Sequence, residues 1–306
     1  MSRFGRVAVL FGGSSAEREV SLRSGQAVLQ ALLQSGVDAY AFDPKTQPLA
    51  ELAAEKPDRV FIVLHGRGGE DGSMQGALQL LGLPYTGSKV LGSALAMDKV
   101  RCKWLFRAQG IATADFRVLH SASQATPALL AELGGKVMVK PSCEGSSIGM
   151  SVADSDASLQ AAVTEALRYD SNVLVERWIQ GRELTVAVLG EQVLPVIEMR
   201  TPHSFYDYNA KYQASTTQYL CPAPIDAALT EQVQQLAWQA FDAVGASGWG
   251  RVDFMLDQQG NPYVLEVNTV PGMTEKSLVP MAAKAAGLSF QQLVLEVLAQ
   301  TEQANA

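Results

Sequence analysis

The chain has 306 residues, 47% of them hydrophobic and 18% charged, and a formal net charge of −7 at pH 7. That length supports two or three domains with sizeable cores, and the acidic balance argues against a general binder of nucleic acid or membrane surfaces. No apolar run approaches the ~20 residues of a bilayer span, and the three scattered cysteines, Cys102, Cys143 and Cys221, supply neither a disulfide framework nor a paired metal motif, as expected of a protein of the reducing cytoplasm.

The elements follow in chain order. Residues 7–11 read as a buried strand, too short for the core of a signal peptide. Gly12-Gly13-Ser14-Ser15 then turns the chain into a helix over 17–35, closed by Gly36. Strands over 39–42 and 60–64 follow, the second running into a Gly-rich loop at 65–72. Such alternation implies a parallel sheet with crossover helices, whose ligands gather beyond the carboxyl ends of the strands, where both Gly-rich loops sit. A second unit begins near Asp98, which caps a helix running to 109. Strands over 136–140, 148–152 and 173–178 frame a small-residue loop at 141–149 and a helix over 158–168. Strands over 184–189 and 192–197 are joined by Gly190-Glu191 as a type II′ hairpin. Residues 201–217 show no period, and a loop that long is usually functional or disordered. An amphipathic helix over 226–245 carries Leu229, Val233, Leu236, Ala237, Ala240, Phe241 and Val244 on one stripe. After it come a hairpin and two closing helices, over 277–286 and from 290, the latter with Leu293, Val294, Val297 and Leu298 facing inward; the last six residues are expected to fray.

The late hairpin, GWGRVDFML-DQQG-NPYVLEVN, carries the strongest chemical signal. A turn centred between Gln259 and Gly260 sets Asp253 opposite Glu266 and Arg251 opposite Asn268, all on one face. Two carboxylates and an amide oxygen are hard ligands of the kind Mg²⁺ takes while substrate phosphates fill its remaining positions. A solvated outer face is the plainer alternative.

Other residues carry weaker signals. Lys140 ends a strand that enters a Gly- and Ser-rich loop, where backbone N–H groups can wrap an anion, or it is a surface lysine beside a flexible turn. Lys99 sits in the first turn of a helix, against the dipole, and is either functional or simply solvated. Glu176, Trp178, Ile179 and Glu183 span a strand exit and the start of the next strand, which suits a purine and its ribose but also an ordinary crossover with a core tryptophan. Glu17 either supports a helix cap or holds an ammonium group, and His65 lies at a strand end, where a structural role is commoner. Lys211-Tyr212 sits in the aperiodic loop, as a solvated tip or as a lid that brings a cation to a transferring phosphate.

Together with GGSSAEREVSLRSG, LHGRGGEDGSMQG, LPYTGS, AMDK, VKPSCEGSSIGMS, FYDYNAKY, GWGRVDFMLD, LEVNTVPGMTEKSLVP and AAGLSFQQLV, these residues give a chain that resembles the D-alanine–D-alanine ligases of the ATP-grasp superfamily over nearly its whole length. The resemblance implies an α/β protein of three domains: an N-terminal parallel α/β substrate domain (1–97), a central lobe (98–180) and a C-terminal lobe (181–306) with a lid loop at about 201–217, the two lobes clasping ATP. It implies ligation of two D-alanines through an acyl phosphate, for peptidoglycan precursor synthesis, with two Mg²⁺ ions that Mn²⁺ can replace. By the same resemblance Asp253, Glu266 and Asn268 are the metal ligands, and Lys99, Lys140, Ser147 and Lys211 are the phosphate contacts. Glu176, Trp178, Ile179 and Glu183 meet adenine and ribose; Glu17 binds the first D-alanine's ammonium, with Ser146 and Tyr212 bonded to Glu17; His65 lines the substrate site. Arg251 and the Gly272 N–H stabilise the oxyanion, and Ser277 and Leu278 meet the second substrate. It also implies a cytoplasmic homodimer. Cys143, beside the phosphates, would be a handle for thiol-directed inhibitors. The Ala-Lys-Tyr order of the lid argues against a D-lactate ester as product, and the absence of G-x-G-x-x-G after the first strand argues against a nicotinamide dehydrogenase.

Overall fold

The computed structural model describes residues 3–201 and 217–303. The N-terminal unit is a parallel sheet of β1 (Arg6–Leu10), β2 (Asp38–Phe42) and β3 (Arg59–Ile62) in the order β2-β1-β3. Val7 to Leu10 of β1 are all fully buried, because helices cover both faces of the sheet. The helices of this unit are α1 (Arg18–Gln34), α2 (Leu49–Glu55), α3 (Ser73–Leu80) and, beyond the sheet, α4 (Val90–Met97). The last three are too short to leave a legible period. Ser21 on α1 ties the first Gly-rich loop to the end of β3: it accepts from the Gly12 N–H at 2.8 Å and donates to the Val63 carbonyl at 2.5 Å.

The central unit opens with α5 (Lys99–Ala108), whose N-cap is Asp98; the Asp98 carboxylate accepts from the Arg101 N–H at 3.1 Å. Four antiparallel strands follow: β4 (Phe116–Leu119), β5 (Val137–Pro141), β6 (Ser151–Ala153) and β7 (Val173–Arg177), in the order β4-β7-β5-β6. They are backed by α6 (Pro127–Glu132) and α7 (Asp156–Ala166). Helix α7 starts earlier than the sequence suggests, because Ser155 and Ser158 form a reciprocal capping box.

The third unit is a six-stranded sheet of β8 (Gly181–Leu189), β9 (Gln192–Val193), β10 (Ile197–Arg200), β11 (Gln218–Leu220), β12 (Trp249–Asp257) and β13 (Pro262–Asn268), with β8 and β12 at its centre. The hairpin at Gly190-Glu191 forms, but its second strand does not run unbroken: β9 ends at Val193 and β10 resumes at Ile197. Pro195 lies in that gap, and proline has no N–H to give to a ladder. Helix α8 (Ala227–Ala243) buries the expected stripe, with Val233, Ala237, Ala240, Phe241 and Val244 almost wholly inside.

The cores do not follow chain order. The closing helices α9 (Leu278–Ala285) and α10 (Phe290–Gln303) bury Leu293, Val294, Val297 and Leu298 as expected, but in one cluster with β1, β3 and α1 of the first unit. Cys102 and Phe106 of α5 join the core of the third unit instead. Of the last six residues, 301–303 are helical rather than frayed, and buried Thr301 accepts from Arg59 at 2.7 Å, while 304–306 lie outside the described residues. Among the described residues no single helix is long and apolar enough to cross a membrane.

Candidate active site

The β12–β13 hairpin places the acidic groups. Asp253 pairs with Glu266 and Arg251 with Asn268, which is the expected opposition reached by a different route. Leu256 pairs with Pro262, so the turn centres on Gln259 itself. A β-bulge at Leu265, between the Asp253–Glu266 and Phe254–Val264 pairs, takes up the extra residue and restores the facing.

Arg251 lies along Asp253, with Nε donating to Oδ1 at 2.8 Å and Nη2 to Oδ2 at 2.7 Å. Thr185 on β8 donates to the same Oδ1 at 2.6 Å. Lys99 brings Nζ to 3.3 Å from Glu266 Oε2 and donates to the Glu144 carbonyl at 2.7 Å. Burial alone would lower the Lys99 ammonium's pKa; Glu266 outweighs it and raises it, so Lys99 is a cation at neutral pH. The Val270 N–H donates to Asn268 Oδ1 at 3.1 Å. Two carboxylates and an amide oxygen on one face make a hard donor set, which fits Mg²⁺ or Mn²⁺ rather than a thiolate-seeking metal. Among the described residues, no group of three or more His, Cys, Asp or Glu is gathered as a metal centre.

Lys140, at the end of β5, is buried rather than on the surface, and its Nζ lies 2.5 Å from Glu176 Oε1. The other carboxylate oxygen lies 2.7 Å from Lys103 Nζ. Burial would raise the pKa of Glu176, but the charges of Lys103 and Lys140 hold it down at about 2. These groups open onto a cavity of about 700 Å³ between the two antiparallel sheets, whose walls include Ser147, Trp178, Ile179, Glu183 and Asp253. Lys136 Nζ stands 4.7 Å from the centre of the Trp178 ring.

A second cavity, of about 610 Å³, lies between the N-terminal unit and the third sheet. Glu17, His65, Arg251, Asn268, Gly272, Ser277 and Leu278 line it. Glu17 occupies the N-cap position of α1 but makes no side-chain cap bond to it; instead Ser146 Oγ donates to Glu17 Oε1. The carboxylate sits in a slot between two glycines: a Cβ at Gly145 would fall 2.4 Å, and one at Gly66 2.7 Å, from Glu17 Oε2. Ser146 and Ser147 are both left-handed, with φ of 50° and 61°, a conformation non-glycine residues hold only when their surroundings demand it. Arg67 fastens this loop from the N-terminal unit by donating to Glu144 at 2.7 Å. His65 is buried, its Nδ1–H donating to the Val270 carbonyl at 2.7 Å; burial lowers its pKa, but Glu70 nearby outweighs that and raises it.

The two cavities share Lys99, Gly145, Ser146 and Glu266 as a common wall. All the expected site residues within the described chain therefore line one connected cleft, and Lys211 and Tyr212 lie outside the described residues. Sequence reasoning missed Thr185, Arg67 and Lys103. Lys103 had a signal, lying one helical turn after Lys99 and so on the same face of α5 as Cys102 and Phe106. One expectation is corrected: Cys143 lines neither cavity, and burial, with Asp98 and Asp170 nearby, pushes its thiol up to about 11. It is a poor nucleophile at neutral pH.

A parallel α/β unit set against two antiparallel lobes that face each other across a lysine- and carboxylate-lined cleft defines the ATP-grasp class of protein. The family model described as D-ala D-ala ligase C-terminus matches residues 105–299, and that described as D-ala D-ala ligase N-terminus matches residues 41–88. A D-alanine–D-alanine ligase of Pseudoalteromonas translucida is 65% identical over 98% of both chains, and one of Idiomarina loihiensis is 58% identical over 97% of both. Among solved structures, the Bacillus anthracis D-alanine–D-alanine ligase complexed with ATP superposes with a TM-score of 0.87 at 31% identity, covering 98% of each chain. The VanG D-Ala:D-Ser ligase of Enterococcus faecalis reaches 0.82, also at 31% identity, covering 98% of this chain and all of that one. The chain belongs to the D-alanine–D-alanine ligase family.

Proposed function

We propose that this chain joins two D-alanine molecules into D-alanyl-D-alanine for peptidoglycan precursor synthesis, converting ATP to ADP and phosphate. The observation that carries this reading is the shared wall of Lys99, Gly145, Ser146 and Glu266, which lets a nucleotide in one cavity meet an amino acid in the other. In the nucleotide cavity Trp178, Ile179, Glu176 and Glu183 take the base and ribose, and Lys140, Lys99 and Ser147 take the phosphates; Lys211, outside the described residues, is assigned to the phosphates by family resemblance alone. Glu17 holds the ammonium of the first D-alanine, with Ser146 steadying it and His65 lining the same cavity, and the substrate's carboxylate points toward the shared wall; Tyr212, outside the described residues, joins Glu17 by family resemblance alone. Asp253, Glu266 and Asn268 would hold two Mg²⁺ ions, or Mn²⁺ in their place, which would supply charge neutralisation on the phosphate oxygens.

A carboxylate oxygen of the first D-alanine attacks the γ-phosphorus and the bond to ADP breaks. The amine of the second D-alanine, seated by Ser277 and Leu278, then attacks the acyl carbon and loses a proton, and phosphate departs with the original carboxylate oxygen. Arg251 and the Gly272 N–H, both at the wall of this cavity, are assigned to the tetrahedral oxygen as it gains charge, where donors fixed in advance are most effective. Phosphoryl transfer asks for alignment and charge more than covalent help, and the acyl phosphate must be kept from water. The reading keeps residues 1–97, 98–180 and 181–306 as the three domains and places the enzyme in the cytoplasm, in keeping with its three free thiols. It acts as a homodimer, for which the exposed Leu80 and Leu91 on α3 and α4 supply apolar surface. Product analysis with ATP and D-alanine, with D-lactate and D-serine competing as second substrates, tests it. D-Alanyl-D-alanine as the main product is expected; a mixed product or none would refute it.

A further inference from the structure

Lys103 is fully buried on α5 and lines neither of the two cavities. Its ammonium donates to Thr113 Oγ1 at 2.6 Å and to the Ala114 carbonyl at 3.2 Å, and lies 2.7 Å from Glu176 Oε2. A buried lysine is costly unless fully paired, and burial lowers its pKa even with Glu176 opposing. The other oxygen of Glu176 is 2.5 Å from Lys140 Nζ, and Lys140 and Glu176 both line the nucleotide cavity while Lys103 does not. The cluster thus holds two ammoniums and one carboxylate, one positive charge in excess. With Lys103 removed the excess is zero, because Glu176 would cancel Lys140.

We propose that Lys103 is a positioning residue for the nucleotide's phosphates: it acts as the counterion of Glu176, so that the charge of Lys140 stays available to the polyphosphate while the carboxylate stays ionised toward the base. Thr113, which receives the Lys103 bond, itself donates to the Val264 carbonyl of β13 at 2.8 Å, so the same contact ties the central lobe to the strand that carries Glu266. The inference rests on reading this cavity as the nucleotide site.

Calorimetric titration of the whole enzyme with ATP and with adenosine separates the two ideas. The readout is the ratio of the two affinities, which a general loosening of the fold would leave alone. In Lys103→Met the ratio should fall about ten- to a hundredfold, the worth of one charge-assisted contact, with adenosine affinity within about twofold of wild type. With Glu176→Gln as background there is no carboxylate to cancel Lys140, so adding Lys103→Met should leave the ratio unchanged; this cycle also serves if the single variant folds poorly. A ratio unmoved in Lys103→Met, or a further tenfold fall in the Glu176→Gln background, would overturn the proposal. Wild-type enzyme that binds neither ligand would instead refute the nucleotide reading beneath it.

Discussion

Replacing Gly145 with alanine is a small change with a defined consequence. The added Cβ would fall 2.4 Å from Glu17 Oε2, 3.0 Å from Cδ and 3.2 Å from Oε1. Relief to ordinary contact moves the carboxylate by about 1 Å, and a misplacement of that size costs up to ~10²-fold in rate. The displaced group also gives up its bond from Ser146, worth about 1.5–3 kcal/mol for a charged acceptor. The backbone itself accepts alanine, since Gly145 is absent from the positive-φ glycines, and Gly→Ala at a compatible position stabilises by about 0.4–1 kcal/mol through the unfolded chain. The lost bond outweighs that gain by roughly 0.5–2.6 kcal/mol, so melting temperature should fall by a few degrees, while kcat/KM for the first D-alanine falls about ten- to a hundredfold. Gly76→Ala on α3, whose Cβ meets nothing closer than 3.9 Å, is the control and should leave kinetics unchanged. Steady-state kinetics with D-alanine varied at saturating ATP, alongside thermal unfolding, decides the matter. A stable Gly145→Ala enzyme with wild-type kcat/KM would refute the claim that this slot positions Glu17 for the substrate.

Three other outcomes follow from the same geometry. Glu266→Gln keeps the shape of the side chain but removes a carboxylate from the oxygen cluster, so turnover should fall by several orders of magnitude with circular dichroism unchanged; retained activity would falsify the metal assignment. Arg251→Ala should slow peptide formation far more than it weakens ATP binding, and a loss confined to ATP affinity would contradict its role at the tetrahedral oxygen. Glu176 sits at about 2 in the folded protein, below its ordinary 4.5, so its stabilising contribution is complete above about pH 4.5 and disappears as pH falls toward 2. Urea unfolding should show stability falling across that window, and a flat or rising profile there would be evidence against the buried ion cluster.

How much of this was legible in the sequence depended on the range of the interaction. The alternation of β12 and β13 exposed the Asp253–Glu266 pairing because period and turn are local signals. The bulge at Leu265 was not readable, since neither glycine nor proline marks it; the pairing was reached only because the turn was placed half a residue away. The break after β9 was readable in hindsight, because Pro195 cannot donate to a ladder. Lys103 was hidden by the ordinary expectation that a helical lysine is solvated. The Glu17–Ser146 bond spans two units far apart in sequence, where no local rule reaches, and it was expected only through the family resemblance. Likewise, the packing of α10 against α1 showed in the sequence only as an apolar stripe without a partner.

Oxygen transfer tests the central chemistry most directly. D-Alanine labelled with ¹⁸O in its carboxylate is turned over with ATP and Mg²⁺, and the released phosphate is analysed by mass spectrometry. Attack by that carboxylate on the γ-phosphorus predicts one labelled oxygen in every phosphate, formed in step with the dipeptide. Dipeptide accompanied by unlabelled phosphate would contradict it.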